Sequence, residues 1–412
     1  MQGDIINGIS STLLDPANLT SFCTSLKEEF NYTPEDSRCF IYQVTKQINA
    51  KLFPSITALE LIVTEDCNLE CIYCFEKDMT GRKKMSPKVA QAAIDLLFDY
   101  SQEEENLYIT YFGGEPLLNF PLIKSITEYV EKKEELSRKK VEFSMTSNGI
   151  LLNESMAEYL ARHKIKVLLS IDGSKLSHNL CRVDKKGRGT FERSIKGLEI
   201  LKKFQPWIGV RMTVVPNNVQ RLSDDVIELH NLGINQFIIC HVTGIKWSKE
   251  DIESFGLQMR RIAHWYREKS SQDLRISVLD QEDDGLSFFG CHAARNSISV
   301  SANGEISPCS KILSLNNKRL LYKLGDVEYG LINVLNRAEL ISCSKLRSAC
   351  NALQIAESFR GGCFAANYED NGNIFQPSIQ NHIFSLQYRS IYHDIQTSSQ
   401  ASSLPDIVPV PL

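Results

Sequence analysis

The chain has 412 residues, enough for two or three domains with a large buried core. Its net charge of −4 gives no electrostatic reason to expect nucleic acid or an anionic membrane as a partner. No apolar run approaches the length of a membrane span, and the first residues lack a signal-peptide pattern. Twelve cysteines in such a chain favour metal sites in a reducing cytoplasm over disulfides.

The N-terminal extension, residues 1–55, carries few structural signals. Residues 20–30 are compatible with a short helix, whereas residues 37–52 give mixed signals. Cys23 and Cys39 stand alone in this segment, and isolated cysteines of this kind are usually buried thiols.

From residue 56 to residue 285 the chain alternates strand and helix patterns. Strands are predicted over residues 58–63, 107–112, 141–146, 166–171, 208–215 and 236–242. Helices are predicted between them, and a further amphipathic helix is predicted over residues 250–269. Such alternation is typical of a parallel sheet with helices outside it. The predicted fold class is therefore α/β, with six βα units where a complete barrel has eight.

Three cysteines follow the first predicted strand in a C-x3-C-x2-C spacing: Cys67, Cys71 and Cys74. The loop after a strand's carboxyl end is where α/β folds place their chemistry. Three thiolates in so tight a loop suit three irons of a 4Fe–4S cube and leave the fourth iron open. The alternative interpretations are a zinc site or buried thiols that align by chance.

The second predicted strand runs directly into Gly113, Gly114, Glu115 and Pro116. Glycines let the backbone approach a ligand, and a carboxylate suits an ammonium group, although the motif alone could be an ordinary turn. Together, the two motifs resemble those of the radical SAM superfamily, with Tyr73 at the aromatic position before the third cysteine. The resemblance implies a partial (β/α)6 TIM-like barrel, a 4Fe–4S cluster on the three cysteines, and S-adenosylmethionine (SAM) whose amine the GGEP motif holds.

Later strand ends carry polar residues that match further motifs of that family: Ser147, Asn148, Ser170, Asp172 and Arg182. The resemblance implies that these residues contact the ribose and the methionine carboxylate. A guanidinium pairs well with a carboxylate, and hydroxyl and carboxamide groups bind ribose. The alternative interpretation is that they are turn residues that cap helices.

Residues 286–395 lose the βα rhythm, and cysteines return. Cys291, Gly304 and Cys309 form a C-x12-G-x4-C pattern with a predicted hairpin over residues 298–306, and Cys350 and Cys363 follow. This segment resembles the SPASM domain, a C-terminal extension that holds auxiliary iron–sulfur clusters in peptide-modifying radical SAM enzymes. A small cysteine-containing α+β domain is therefore expected. Residues 396–412, rich in Ser and Pro, are predicted to be a disordered tail.

The SPASM pattern is incomplete in this chain. Leu353, Phe359 and Asn381 lie at or near positions where the family has cysteines, and neither leucine nor phenylalanine can bind iron. The expectation is one auxiliary 4Fe–4S cluster without the second. Its ligands would be Cys291, Cys309 and Cys363, with Cys350, Cys343 or an open position as the fourth. The alternative is a vestigial domain with no cluster.

The family implies reductive cleavage of SAM to a 5′-deoxyadenosyl radical and hydrogen abstraction from a peptide or protein. Thioether or carbon–carbon crosslinking of a ribosomally made peptide is the first hypothesis. An external electron donor such as flavodoxin or ferredoxin is implied, and residues 1–55 are a candidate contact for the substrate's leader.

Two rival functions follow from the same residues. One is sulfatase maturation, but the aspartate that those members carry after the G-x4-C cysteine is Ser310 here. The other is a non-catalytic iron–sulfur or zinc module, which has no need of an amine-binding motif. Production of 5′-deoxyadenosine separates the second rival from an enzyme.

A proton acceptor is also needed, because bond formation on a substrate radical releases an electron and usually a proton. Ser310 offers no base, and the nearest acidic run is Asp280, Glu282, Asp283 and Asp284. The hypothesis is that one of these carboxylates faces the barrel mouth and takes the proton. The alternative is a solvated linker.

We predict about eight irons per chain after anaerobic reconstitution, because two 4Fe–4S clusters hold four irons each. Iron quantification against protein concentration checks this number. About twelve irons would contradict the absence of a second auxiliary cluster, and about four would support the vestigial alternative.

Overall fold

The computed structural model describes residues 18–77, 82–269, 273–280, 291–315, 321–355 and 362–398. Its strands, in chain order, are β1 (Ala58–Thr64), β2 (Asn106–Gly113), β3 (Lys140–Ser147), β4 (Lys166–Ser170), β5 (Gly209–Val214), β6 (Gln236–His241), β7 (Arg275–Ile276), β8 (Ser297–Val300), β9 (Glu305–Ser307) and β10 (Gly325–Asp326).

The helices are α1 (Leu19–Phe30), α2 (Pro34–Leu52), α3 (Pro87–Tyr100), α4 (Phe120–Glu135), α5 (Glu154–Arg162), α6 (Lys175–Cys181), α7 (Phe191–Lys202), α8 (Leu222–Asn231), α9 (Lys249–Lys269), α10 (Ser277–Asp280), α11 (Ser310–Leu313), α12 (Val334–Ser342), α13 (Ser344–Ala352), α14 (Phe364–Asn371) and α15 (Ile379–Ser398). Within the described parts of the chain, no helix has the length and apolarity needed to cross a membrane.

The strands form one sheet in the order β10-β9-β8-β1-β2-β3-β4-β5-β6-β7. Neighbouring strands from β1 to β7 pair in parallel, as the alternating sequence pattern predicts. The predicted α/β partial barrel is therefore confirmed, with its six main strands within two residues of their predicted bounds. The carboxyl ends of these strands meet at one edge, where the predicted site residues follow them.

The C-terminal region continues the barrel sheet. Strand β8 pairs in parallel with β1, and β8, β9 and β10 then form antiparallel pairs, which includes the predicted hairpin. The predicted boundary at residues 285–286 lies outside the described residues. The predicted disordered tail is wrong for residues 396–398, which end helix α15, and its remainder lies outside the described residues.

Helix α2 forms where the sequence gave mixed signals. Thr33 caps it, since its hydroxyl accepts from the Asp36 N–H while the Asp36 carboxylate accepts from the Thr33 N–H, and Pro34 takes the first helical position. This local capping box determines where the helix begins although its apolar periodicity is weak.

The N-terminal helices pack against the C-terminal region. Thr45 and Asn49 of α2 donate to the carbonyls of Tyr329 and Leu331, at 2.9 and 3.0 Å. Arg337 of α12 is buried and donates to Asn49 Oδ1 at 2.8 Å and to the Pro54 carbonyl at 2.7 Å. Its Nε also donates to the Ala294 carbonyl at 3.0 Å. One guanidinium thus joins three separate segments of the chain.

We predict that Arg337→Leu lowers the free energy of unfolding by about 3 kcal/mol, because several buried acceptors lose a charged donor. Thermal or denaturant unfolding measures the change. Arg138→Leu, at an exposed position after α4, is the matched control and should change stability by less than about 0.5 kcal/mol. Equal stability of the two variants would contradict a joining role for Arg337.

Candidate active site

A cavity of about 950 Å³ lies at the carboxyl ends of the barrel strands. Its lining includes predicted residues from four strand ends and one from the C-terminal region: Cys67, Cys71, Tyr73, Cys74, Gly113, Gly114, Glu115, Ser147, Asn148, Ser170, Arg182 and Cys363. The structure therefore brings most of the predicted cofactor residues together around one space. A cavity of this size is at the upper end for small-molecule sites, so it has room for more than one ligand.

The GGEP segment runs directly against the cysteine loop. Gly114 and Glu115 donate their N–H groups to the carbonyls of Thr64 and Asp66, at 3.0 and 2.9 Å. A Cβ on Gly113 would lie 2.1 Å from the Thr64 oxygen, and one on Gly114 would lie 2.3 Å from the Asp66 oxygen. Gly113 also has a φ of +124°. The glycines are thus required by contact with the cysteine loop, whereas the sequence suggested contact with a ligand.

The other side of the cysteine loop is bonded to the segment after α6. Glu70 and Ile72 donate their N–H groups to the carbonyls of Val183 and Cys181, both at 2.9 Å. Backbone hydrogen bonds therefore hold the loop on two sides. They fix the backbone positions from which the three cysteines face the cavity.

The thiols of this loop are protonated in the absence of metal. Burial raises the pKa of Cys67 to about 12 and that of Cys74 to about 11. Burial also raises the pKa of Cys71, where the Arg182 guanidinium opposes the rise. Because iron binds thiolates, metal binding must supply the free energy of their deprotonation.

A zinc ion and a 4Fe–4S cube require different spacings of the three thiols. In a zinc site each sulfur lies about 2.3 Å from one shared ion. Among the residues that the structure describes, no three His, Cys, Asp or Glu side chains are grouped closely enough for a single ion. A 4Fe–4S cube places each thiolate on a different iron, so it accepts a wider spacing.

Glu115 is buried beside this loop and is fully engaged by the protein. Its carboxylate accepts from Ser147 Oγ and the Asn148 N–H, both at 2.8 Å, and from the Leu117 N–H at 3.1 Å. Burial raises the pKa of Glu115, and these three hydrogen bonds oppose the rise. The Glu115 carboxylate thus caps the turn and is also a fixed acceptor in the cavity wall. The motif is therefore compatible with both interpretations, an ordinary turn and a site for an ammonium group.

Arg182 is oriented by Asp172. Its Nη2 donates to Asp172 Oδ1 at 3.0 Å, and its Nε lies 2.9 Å from Oδ2. The Tyr73 hydroxyl and the Thr213 N–H also donate to the Asp172 carboxylate, at 2.5 and 2.9 Å. The Asp172 side chain has no exposed surface and does not line the cavity. Asp172 therefore positions Arg182 and Tyr73, and its direct contact with a cofactor stays a prediction.

Two further predicted residues have structural contacts. Pro116 is buried at the start of a 3-10 turn, Pro116–Asn119, and does not line the cavity. Its predicted cofactor contact also stays a prediction. The Asn148 carboxamide donates to Asn68 Oδ1 at 2.7 Å, which ties the end of β3 to the cysteine loop.

The auxiliary cysteines lie at the opposite side of the cavity, where Cys363 contributes to the lining. Burial raises the pKa of Cys291 to about 11, and the neighbouring Cys363 adds to the rise. Burial also raises the pKa of Cys309, with contributions from Cys363 and Cys291. These three thiols are therefore close neighbours, as an auxiliary cluster requires.

The two candidates for the fourth ligand have different surroundings. Burial raises the pKa of Cys343 to about 12, and Cys291 contributes to that rise. Burial alone raises the pKa of Cys350, which lies in α13. Cys343 Sγ donates to the Leu340 carbonyl at 2.9 Å, and the identity of the fourth ligand stays a prediction.

The acidic run predicted to supply a base does not reach the cavity where it is described. Asp280 is exposed, and its carboxylate accepts from the Tyr266 hydroxyl at 2.6 Å and the Ile276 N–H at 2.7 Å. It does not line the cavity, so nothing in the structure supports a role as base for Asp280. Glu282, Asp283 and Asp284 lie outside the described residues.

Sequence analysis missed a set of polar residues that also line the cavity, here called the polar wall: Thr243, Lys311, Glu369, His241 and Asn381. Glu369 Oε2 accepts from Thr243 Oγ1 at 2.5 Å and lies 2.9 Å from Lys311 Nζ. His241 Nε2 lies 3.0 Å from Asn381 Oδ1, and burial lowers the pKa of His241 to about 4. His241 and Thr243 follow the strand-end pattern, whereas Glu369 and Asn381 carry no local signal.

Residues 61–229 match the model of the Radical SAM superfamily. An uncharacterized protein of Methanocaldococcus jannaschii is 35% identical over 176 residues, which are 43% of this chain and 59% of that protein. The radical SAM cyclopropyl synthase TigE of Paramaledivibacter caminithermalis is 23% identical over 77% of this chain and 70% of its own length. A cysteine-type anaerobic sulfatase-maturating enzyme of Clostridium perfringens is 28% identical over 41% of this chain and 47% of its own length.

Solved structures show the same fold. The AdoMet- and peptide-bound structure of anSMEcpe has a TM-score of 0.68 at 19% identity, covering 84% of this chain and all of that chain. Streptococcus suis SuiB bound to its precursor peptide has a TM-score of 0.57 at 17% identity, covering 88% of each chain. The chain spans 59%, 70% and 47% of the lengths of the three sequence relatives described above. Its fold covers all of the anSMEcpe chain and 88% of the SuiB chain.

The cavity fits the cofactors of this family. Three thiols, the fixed carboxylate of Glu115 and the Asp172-anchored guanidinium of Arg182 face one space. These residues fit a 4Fe–4S cluster that Cys67, Cys71 and Cys74 would hold, SAM, and an auxiliary cluster beside Cys363. Residues 61–229 therefore form a radical SAM domain.

Proposed function

We propose that this protein cleaves SAM reductively and modifies a peptide or protein substrate by hydrogen abstraction. The observation that carries the proposal is that the three-cysteine loop and Cys363, far apart in sequence, line one cavity. When bound, the cluster and SAM supply a 5′-deoxyadenosyl radical that removes a hydrogen atom from a substrate carbon. The substrate therefore lies between the cysteine loop and Cys363.

Beside the cysteine loop, residues of the chain bind and orient SAM. Glu115 presents a carboxylate whose position Ser147 and Asn148 determine, which suits the methionine ammonium. Arg182 presents a guanidinium whose position Asp172 determines, which suits the methionine carboxylate. Both groups are held in position before any ligand enters, so little free energy is lost in ordering them.

The polar wall contacts the substrate. Phe75 stacks on Phe112 with ring centroids 6.4 Å apart, and the Lys311 ammonium lies 5.7 Å from the Phe75 ring. Glu369, beside Lys311, is a carboxylate that the cavity presents on the auxiliary side. In this proposal Glu369 takes the role of proton acceptor for which the acidic run was first considered.

Crosslinking of a ribosomally made peptide is the first substrate hypothesis. Its support is the match to TigE over most of both chains, together with the fold shared with SuiB bound to a precursor peptide. The N-terminal helices α1 and α2 remain a candidate contact for a leader peptide.

Sulfatase maturation is a second candidate, supported by the sulfatase-maturating relative and by the TM-score of 0.68 to anSMEcpe. Ser310 and Lys311 follow Cys309, where those enzymes carry an aspartate. Mass spectrometry of a cysteine-containing sulfatase peptide and of a candidate precursor peptide, each incubated with the enzyme, separates the two. Formylglycine in the sulfatase peptide would favour this candidate.

We predict that replacing Cys67, Cys71 and Cys74 with Ala abolishes 5′-deoxyadenosine production, because these thiolates are the ligands of the SAM-binding cluster. The assay is anaerobic reconstitution, addition of SAM and dithionite, and chromatographic quantification of 5′-deoxyadenosine. Cys39→Ala, at an exposed position in α2, is the control and should retain activity. Activity in the triple variant would contradict the proposed function.

We also predict that Glu115→Gln weakens SAM binding by about 1.5–3 kcal/mol, roughly 10- to 150-fold. The amide loses the charge that attracts the ammonium and cannot accept all of the present hydrogen bonds. Equilibrium binding of SAM to the reconstituted protein measures this effect, with the iron content and cluster spectrum unchanged. Glu128→Gln, exposed on α4, is the matched control. Equal affinity of the two variants would show that Glu115 only caps the turn.

A further inference from the structure

Arg182 lies directly opposite Cys71, one of the three cysteines of the loop. Backbone contacts on both sides of the pair fix this register: an antiparallel bridge between Leu69 and Asp184, and N–H donation from Glu70 to the Val183 carbonyl and from Ile72 to the Cys181 carbonyl, both at 2.9 Å. Residues that oppose each other in an antiparallel pair have Cβ atoms about 4.5–5.5 Å apart. The register therefore places the Arg182 side chain beside that of Cys71.

Asp172 and Tyr73 hold the Arg182 guanidinium in one orientation. Arg182 is 7% exposed, and the Asp172 side chain has no exposed surface. The Nη2 and Nε atoms of Arg182 lie 3.0 and 2.9 Å from the two Asp172 carboxylate oxygens. The guanidinium carbon lies 5.4 Å from the centroid of the Tyr73 ring. Because Nε and Nη2 are turned to Asp172, Nη1 remains for another acceptor.

The positive end of this ion pair is the end nearer to the thiols. Cys71 and Arg182 both line the cavity, whereas Asp172 does not. Burial raises the pKa of Cys71; the charge of Arg182 opposes that rise more strongly than the charge of Asp172 adds to it, and a hydrogen bond from the guanidinium opposes it as well. At the position of Cys71 the pair therefore acts as a positive charge although it is neutral as a whole.

We propose that Arg182, besides binding SAM, raises the reduction potential of the iron–sulfur cluster that Cys67, Cys71 and Cys74 would hold. This inference rests on the proposed function, which assigns the SAM-binding cluster to these cysteines.

The physical reason is the charge that reduction adds. An external reductant gives one electron to the cluster, the cluster becomes more negative by one charge, and no atom is transferred. A positive charge and a hydrogen-bond donor beside a cluster sulfur stabilise the reduced form more than the oxidised form. Arg182 therefore favours the reduced cluster, which is the form that cleaves SAM.

The alternative is that Arg182 acts on the SAM carboxylate alone. That role needs a guanidinium in the cavity wall, but it does not need one paired in register with a cluster ligand. The pairing with Cys71 is present before any ligand enters. If Arg182 served SAM alone, the potential of the SAM-free cluster would not depend on its charge.

The test is a redox titration of the reconstituted full chain without SAM, with dithionite as reductant and electron paramagnetic resonance as the readout. The triple variant of Cys67, Cys71 and Cys74, which keeps the auxiliary cysteines, identifies the signal of the auxiliary cluster. We expect Arg182→Gln to lower the equilibrium constant for reduction of the SAM-binding cluster about tenfold or more, a shift of about 59 mV for one electron. Arg182→Lys should stay within about threefold of the wild type, because it keeps the positive charge.

Arg188→Gln is the matched control. Arg188 is also paired with an aspartate, Asp184, but its side chain is 67% exposed. Solvent screens its charge, so the equilibrium constant should change by less than about twofold. If Arg182→Gln fails to load iron, Asp172→Asn tests the same inference. It removes the opposing charge and leaves the guanidinium, so reduction should become about threefold more favourable or better.

A wild-type potential in Arg182→Gln would overturn the inference, as would a potential at or below the wild-type value in Asp172→Asn. The proposed function is checked separately, by 5′-deoxyadenosine production in the wild-type chain. Unchanged potentials together with 5′-deoxyadenosine production would refute the effect of Arg182 on the cluster alone. Shifted potentials without 5′-deoxyadenosine production would refute the proposed function alone.

Discussion

The backbone of the GGEP segment lies directly against the cysteine loop, and the active site depends on this contact. Two carbonyl oxygens of the loop, those of Thr64 and Asp66, occupy the space where side chains of Gly113 and Gly114 would begin. Hydrogen bonds from Gly114 and Glu115 fix the two segments to each other. The positions of the three thiols and of the Glu115 carboxylate are consequently coupled, so that neither can change without the other.

A buried ion pair, Asp172 with Arg182, likewise determines the position of a charged group in the cavity. The Asp172 carboxylate is enclosed and receives three donors, from Tyr73, Arg182 and Thr213, and all three residues line the cavity. An unpaired carboxylate at this depth would cost several kcal/mol, so the pair also stabilises the end of β4. Arg182 places a positive charge in the cavity, and Asp172 determines the orientation of the Arg182 guanidinium.

The sequence predicts the barrel well because each strand and helix is specified locally. The apolar runs, the Ser86 cap with Pro87, and the motifs at strand ends are all encoded within a few residues. The same rule selected Cys67, Glu115 and Arg182, which line the cavity. It also selected Asp172 and Pro116, which do not, because a strand-end position does not reveal whether a side chain faces the cavity or the protein.

The polar wall could not be found in this way. Glu369 and Asn381 reach the cavity only because α14 and the start of α15 fold back over the barrel, more than a hundred residues after Thr243 and His241. Their pairing depends on long-range packing, for which a single sequence carries no periodic signal. The acidic run drew attention because its charges are adjacent in sequence, yet Asp280 is bonded to Tyr266 and Ile276 away from the cavity.

The most direct test of this account is the iron content and SAM affinity of Gly114→Ala. The added methyl group would lie 2.3 Å from the Asp66 oxygen and must displace the cysteine loop. Gly372→Ala is the control, since Gly372 has a φ of +69° but nothing within 4 Å of the added carbon. We predict that Gly114→Ala retains the wild-type circular dichroism spectrum but loses most of the SAM-binding cluster and its SAM affinity, while Gly372→Ala retains both. Full iron loading and wild-type SAM affinity in Gly114→Ala would contradict the account.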